Sequence, residues 1–380
     1  MRINKFAVAA VAALTLSVTA VQAAGTIETS ARQAILLDTT TGAVLFEKNA
    51  DQPMPPSSMG KIMTVYKVFE YLKDGRLSLD DRFVVSEKAW RKQGSKMFVR
   101  VNSRVKVEDL IRGIVVQSGN DASIVVAEGL SGSEGAFAEE LNRTAKELGM
   151  TNSHFVNSSG WPDPEHRTTA RDLARLSQAT IENFPEYYHY YAEKAFTYSG
   201  IRQPNRNPTL YRNIGSDGLK TGHTEEAGYG LAASAVRNGR RLILVVNGLP
   251  SKKARAIESE RMFDWGFREF NNYALFKSGE TVADAEVWMG AAGSVPLVIK
   301  QDVLLTLSRK ARRGMKVSVL YDGPFAAPVA QGTPLATLKI DAAGQEPVKY
   351  PLFAGSSVPR LGMFSRLGAA FKFVLWGESG

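Results

Sequence analysis

No cysteine occurs among the 380 residues, and the chain opens on a stretch with the make-up of an export leader. "MRINKFAVAAVAALTLSVTAVQAAG" carries Arg2 and Lys5, then an apolar run from Phe6 to Val21, then the small-x-small pattern Val21-Gln22-Ala23. We read residues 1–23 as a secretory signal peptide, because the apolar run is short and Ala-rich for a membrane span. An exported chain without cysteine has no disulfide staples and no thiol nucleophile, so its stability must come from the size of its hydrophobic cores. The length left after the leader exceeds one compact core, which predicts two domains.

The formal net charge is +9, which attracts anionic surfaces. No basic-aromatic stripe or nucleic-acid motif accompanies it, so the expected partner is an anionic membrane or wall polymer and not a nucleic acid.

Along the chain, "ARQAILLDTTTGAVLFEKN" predicts two strands, 33–38 and 43–47, around a Thr-Thr-Gly turn. A helix is predicted from Ser57 or Ser58, after the Pro55-Pro56 break, with Ile62, Val65, Phe69 and Leu72 at three- and four-residue steps and Gly75 as its stop. A mostly helical stretch follows from about 106 to 184. "YGLAASAVRNGRRLILVVNG" predicts a hairpin turning at Asn238-Gly239, and "ARAIESERMFDWGFREF" a closing helix. The fit of Gly228-Tyr229-Gly230-Leu231-Ala232-Ala233 to a dinucleotide pattern is a decoy, since it opens a hairpin and not a helix. Strands at both ends with helices between predict an α+β fold, an antiparallel sheet covered by helices with a helical subdomain. After Phe270, short β-type runs from "TVADAEVWMG" to "VKYPLFAG" predict a small β-rich domain. The boundaries follow: 1–23 leader, 24–270 first domain, 271–356 β-rich domain, 357–380 tail. In the tail, Leu361, Phe364, Leu367, Phe371 and Leu375 share one helical face. Arg360, Arg366 and Lys372 interrupt it, which predicts a helix lying in a membrane interface.

A serine attacks a carbonyl only when a base takes its proton and donors stabilise the oxyanion. There is no Gly-x-Ser-x-Gly elbow and no His-Glu-x-x-His, and His154, His166, His189 and His223 are not spaced as metal ligands, so no metal or cofactor is expected. Ser58-Met59-Gly60-Lys61 offers another base: three residues apart on a helix, the hydroxyl and the amine share a face. Partial burial or a nearby cation would free the amine as a general base. Ser118-Gly119-Asn120 places a second hydroxyl and an amide between two apolar helical runs. Lys220-Thr221-Gly222-His223 sets a cation and a hydroxyl on a strand edge suited to an extended, carboxylate-ended substrate. Singly, each has a plain structural explanation as an N-cap, a turn or a polar strand end.

Together and in this order, Ser-x-x-Lys, Ser-x-Asn and Lys-Thr-Gly resemble the signature of penicillin-binding proteins and class A β-lactamases. The chain resembles the low-molecular-mass penicillin-binding proteins that are D-alanyl-D-alanine carboxypeptidases, through "MPPSSMGKIMT", "LIRGIVVQSGNDAS", "RQPNRN", "DGLKTGHTEEAGYGLAASA", "RMFDWGF", the β-rich domain and the amphipathic tail. The resemblance implies that Ser58 is acylated by the penultimate D-alanine of a peptidoglycan pentapeptide, with Lys61 as base and Ser118 and Asn120 completing the relay. Lys220 would add positive charge and polarise Ser118, and the amides of Ser58 and His223 would form the oxyanion hole. Thr221 would bind the substrate carboxylate with help from Arg255, and Gly222 would let the substrate backbone approach. Arg206 would hold substrate or brace the site. β-Lactams would inhibit, and the protein would sit at the periplasmic face of a bacterial inner membrane.

Two departures stand out: Gly60 replaces a more usual threonine, and Glu165, where a β-lactamase might place its deacylating glutamate, lacks the usual neighbours and reads as a loop residue. A β-lactamase, or a catalytically weak wall-binding protein of the same fold, are the alternatives.

Overall fold

The computed structural model describes residues 27–362. The predicted leader and the tail from residue 363 on lie outside the described residues.

Strands β1 (Gln33–Asp38) and β2 (Val44–Lys48) form the first hairpin. Strands β3 (Ser216–Thr224), β4 (Gly228–Arg237) and β5 (Arg240–Leu249) arrive much later in the chain and complete one antiparallel sheet in the order β2-β1-β5-β4-β3. The β4–β5 turn is Asn238-Gly239, with φ of 51° and 76°, the positive pair that a primed two-residue turn requires. Both faces of the sheet are covered. Ile35, Leu37, Ile243 and Val245 face the helical subdomain, while Ala34, Leu36, Leu244 and Val246 face the other side. That is why β1 and β5 read as unbroken apolar runs instead of alternating ones.

The helical subdomain holds α1 (Lys61–Lys73), α2 (Val107–Val115), α3 (Asn120–Ser131), α4 (Glu134–Glu147) and α5 (Ala170–Asn183). The closing helix α6 (Lys252–Glu269) covers the opposite face, burying Met262 and Phe263. Ile62, Val65, Phe69 and Leu72 of α1 are all buried, as their spacing predicts.

The start of the first helix differs from expectation. Ser57–Gly60 is a 3-10 turn, and the α-helix begins only at Lys61. Pro55-Pro56 denies the turn an ordinary helical lead-in, and Ser57 sits at φ +49°, so the chain enters under strain. The tighter winding eclipses positions i and i+3, so Ser58 and Lys61 still share a face.

From Phe270 the chain is β-rich: β6 (Phe270–Phe276), β7 (Thr281–Trp288), β8 (Ser294–Ile299), β9 (Val303–Ser308), β10 (Lys316–Leu320), β11 (Phe325–Ala326), β12 (Pro334–Asp341) and β13 (Val348–Ala354). Six of these form one sheet, β10-β12-β13-β8-β7-β11, and β6 pairs with β9. Strand β6 carries Asn271-Asn272, residues poor in strand propensity, and it is tied to β9 and to the first sheet by side chains. Buried Asp38 takes Arg240 Nε at 2.5 Å and Asn272 Nδ2 at 3.3 Å, and Thr306 Oγ1 donates to Asn272 Oδ1 at 2.8 Å and meets the Thr41 hydroxyl.

Candidate active site

The predicted site residues converge on a cleft between the helical subdomain and edge strand β3. Ser58, Ser118, Arg206, Thr221, Gly222, His223 and Arg255 line a cavity of about 520 Å³. A second cavity of about 690 Å³ continues past Ser58 and Asn120 toward Trp161 and Glu225.

Lys61 is wholly buried beneath Ser58. Its Nζ donates to Ser58 Oγ at 3.1 Å, to Asn120 Oδ1 at 2.7 Å, and to the Ser159 carbonyl. Burial brings its pKa down to about 7, and the Arg206 charge adds to the effect, so a neutral amine is available beside the hydroxyl near neutral pH. Lys220 is also buried, and desolvation with the neighbouring charges of Lys61, Arg206 and Arg255 moves its pKa well below that of a free lysine. No ion pair reaches Lys61, Lys220, Arg206 or Arg255 among the described residues.

Ser118 has φ +67°, an unusual backbone for serine, and its buried Oγ has no hydrogen-bond partner among the described residues. The structure thus brings Ser118 into the cleft wall without a bond to either lysine. Asn120, first residue of α3, is held by its Nδ2 donating to Gln93 O at 2.9 Å and by its N donating to Ser95 O at 2.7 Å. The "NRN" loop is fixed from both sides: buried Asn205 Nδ2 donates to Glu193 O at 2.9 Å, and buried Asn207 Nδ2 donates to Gly218 O at 2.8 Å. Between them Arg206 reaches across to Ser95 Oγ.

Gly222 also makes room behind its strand. A Cβ there would lie 3.1 Å from both Met59 Cγ and Ser57 Cβ, so its missing side chain makes room for the turn that carries Ser58. Gly230, its partner across the strand pair, is the other half of this slot, since a Cβ on it would lie 2.7 Å from Met59 Cε. Arg255, from α6, donates through Nη1 to Gly222 O at 3.3 Å and Gly230 O at 3.2 Å, and burial lowers its pKa to about 10. His223 is exposed and packs on Tyr229 with ring centroids 4.0 Å apart. Glu165 lies on an exposed loop, where its amide bonds Asp163 Oδ1 at 2.9 Å, and it lines neither cavity.

Three contributors are absent from the sequence expectations. Asp121 is buried, and its carboxylate accepts from the amides of Met97 (2.8 Å), Phe98 (2.9 Å) and Val99 (3.3 Å), fixing the loop that presents Ser95. An acidic residue in the first turn of an apolar helix was its one available signal. The Ser159 carbonyl has no side-chain signature. Gly160, at φ +71°, passes so close to the turn that a Cβ would sit 1.7 Å from Ser57 O, and a lone glycine in a polar loop does not announce that.

A serine over a desolvated lysine, beneath an edge strand carrying Lys-Thr-Gly, on an α+β sheet with a β-rich C-terminal region, defines a serine-type hydrolase of transpeptidase-like fold. Comparison with known proteins narrows the class. Residues 17–251 match the family model described as D-alanyl-D-alanine carboxypeptidase, and residues 270–360 match the C-terminal domain of penicillin-binding protein 5. The chain is 36% identical over 344 residues to D-alanyl-D-alanine carboxypeptidase DacA of Haemophilus influenzae, covering 89% of this chain and 88% of that one. It is 38% identical over 356 residues to DacC of Escherichia coli, covering 91% and 89%. The crystal structure of DacD from Francisella tularensis superposes with a TM-score of 0.79 at 30% identity, over 90% of this chain and 97% of that one. Penicillin-binding protein 5 of H. influenzae gives 0.75 at 35%, over 89% and 100%. The chain belongs to the D-alanyl-D-alanine carboxypeptidase family and is a serine-type carboxypeptidase.

Proposed function

We propose that Ser58 is the nucleophile that removes the terminal D-alanine from peptidoglycan pentapeptides, with Lys61 as its general base. The observation that carries this reading is the Lys61 amine, 3.1 Å from Ser58 Oγ, buried and without a carboxylate partner among the described residues. Ser58 Oγ attacks the carbonyl of the penultimate D-alanine as Lys61 takes its proton. The tetrahedral oxyanion is held by the amides of Ser58 and His223. The C–N bond then breaks, and the proton passes through Lys61 and Ser118 to the departing amine of the terminal D-alanine. Water, deprotonated along the same route, hydrolyses the ester and restores the hydroxyl.

Asn120 orients the amine, and Lys220 keeps the cleft positive. Thr221 binds the terminal carboxylate, with Arg206 and Arg255 supplying its counter-charge, Arg255 while bracing the edge strand. β-Lactams acylate the same serine, a reading supported by the ampicillin-bound structure of penicillin-binding protein D2 from Listeria monocytogenes, 30% identical over 64% of this chain. The leader exports the chain. The tail holds it on the periplasmic face of the inner membrane; among the described residues no helix is long and apolar enough to cross one.

The test is release of D-alanine from a D-Ala-D-Ala-ended peptide, with mass mapping of a penicillin adduct. Ser58→Ala should abolish both, and an adduct on another serine would reassign the nucleophile. Turnover of the penicillin adduct within seconds, instead of hours-long labelling, would make the protein a β-lactamase.

A further inference from the structure

Away from the cleft, one rim of the β-rich region exposes large apolar side chains. Trp288, Leu320 and Tyr321 are 41%, 49% and 40% exposed. The topology gathers them. Trp288 ends β7 and Leu320 ends β10, and Tyr321 begins the short link to β11. Strand β11 pairs in parallel with the end of β7, Val287 with Phe325 and Trp288 with Ala326, and the Tyr321 ring stacks on Phe325 at 5.6 Å. Along β7, Ala285 and Val287 point into the core while Glu286 and Trp288 point out, so an indole stands where the pattern calls for a polar residue.

The chain leaves this same rim. Leu361 N donates to Met289 O at 3.0 Å, Arg360 bridges to Gly290, and Arg360 Nε donates to Ala327 O at 2.7 Å. The residues that follow in sequence are the ones read above as an amphipathic segment, with Phe364, Leu367, Phe371 and Leu375 on one face.

We propose that this rim is a second membrane contact, in which Trp288, Tyr321 and Leu320 enter the headgroup boundary of the bilayer that the tail engages. Indole and phenol rings combine an apolar body with a polar tip and favour that boundary. Asp322 and Glu286 beside the rings limit the contact to a shallow one, while Arg360 meets anionic headgroups. A single amphipathic segment binds reversibly; a second footing a few residues away is reached at high effective concentration and lengthens residence. It also limits how far the β-rich region can swing on its tail. The proposal rests on the tail reading, and the experiment separates the two.

The full chain carrying Trp376→Phe has no indole in the tail, and Trp90, Trp161 and Trp265 all precede the β-rich region. With phosphatidylglycerol–phosphatidylethanolamine vesicles bearing brominated acyl chains, part of its emission should be quenched, and adding Trp288→Phe should remove that part. In the otherwise natural chain, Trp288→Ser with Tyr321→Ser should weaken vesicle partitioning about tenfold, a fraction of the transfer free energy of two aromatic side chains, with D-alanine release unchanged. Co-sedimentation with vesicles but no quenching at Trp288 overturns the proposal and leaves the tail reading standing. A Trp288 emission already blue-shifted without vesicles, and unmoved by them, assigns the rim to the tail itself and overturns it too. A chain that does not sediment with vesicles at all sinks the anchoring reading and this one with it.

Discussion

Cations are handled in opposite ways in two regions of this protein. Outside the cleft, on helices of the helical subdomain, Arg171 lies 2.7 Å from Asp51 and 2.6 Å from Glu47, and Arg112 bonds Glu108 at 2.7 Å and Glu193 at 2.9 Å. These carboxylates raise the pKa of both guanidinium groups. In the cleft, Lys61, Lys220, Arg206 and Arg255 crowd together with no carboxylate partner among the described residues, and the pKa of each is lowered. A fold chosen for stability alone would pair such charges or replace them with apolar groups. Unpaired cations fit the proposed reaction, which needs a neutral amine and a positive field around a developing oxyanion and a substrate carboxylate. Stability and function are thus drawn from different cations.

The contrast is breakable by substitution. Lys61→Met removes the proposed base and should lower acylation by about 10³-fold with little loss of thermal stability, because a desolvated amine goes with it. Stopped-flow acylation and calorimetry on the same sample check both halves, and a large fall in Tm with modest loss of rate would reverse the comparison. Gly160→Ala puts a methyl group on the Ser57 carbonyl at a left-handed backbone position. It should cost about 3 kcal/mol or more and also slow acylation, because the same loop carries the Ser159 carbonyl that receives Lys61.

The pH dependence has a defined sign. The folded-state pKa of Lys61, about 7, lies below the 10.5 of a free lysine, so between those values the unfolded chain binds more protons. Stability should therefore rise with pH over that window, by about 1 kcal/mol per unit, and acylation should gain over the same rise through pH 7. His166, buried and brought down to about 4, gives a slope of the same sign between about 4 and 6.5 and destabilises the fold as pH falls. Calorimetry from pH 5 to 9 measures both slopes, and in Lys61→Met the alkaline one should shrink. Last and smallest, Arg171→Met should cost about 1 kcal/mol and leave D-alanine release unchanged.

Much of this was legible in the sequence, for identifiable reasons. The sheet announced itself through long apolar runs and an Asn-Gly turn, and α1 through buried residues at helical spacing. The side chains proposed to do the chemistry carry their identity with them, so Ser58, Lys61, Asn120 and Lys220 could be picked out by type and order. What escaped was backbone work. The Ser159 carbonyl that receives Lys61, the 3-10 winding at Ser57–Gly60 and the contact that demands glycine at 160 depend on where the main chain passes, and no side chain advertises that. Strand β6 escaped because Asn271-Asn272 near its start are poor strand formers, although its backbone pairs with β9 along its length. At Gly222 the contact with Met59 and Ser57 behind the strand escaped in the same way.

That slot at Gly222 and Gly230 carries a consequence for assembly of the enzyme. Met59, the neighbour of the proposed nucleophile, seats against a strand pair made more than 150 residues downstream. A nascent chain that has already folded its helices therefore holds an unseated serine until the late hairpin arrives in register. On the proposed mechanism the emerging chain stays inert until strands β3 and β4 have joined the first sheet, before the β-rich region is made.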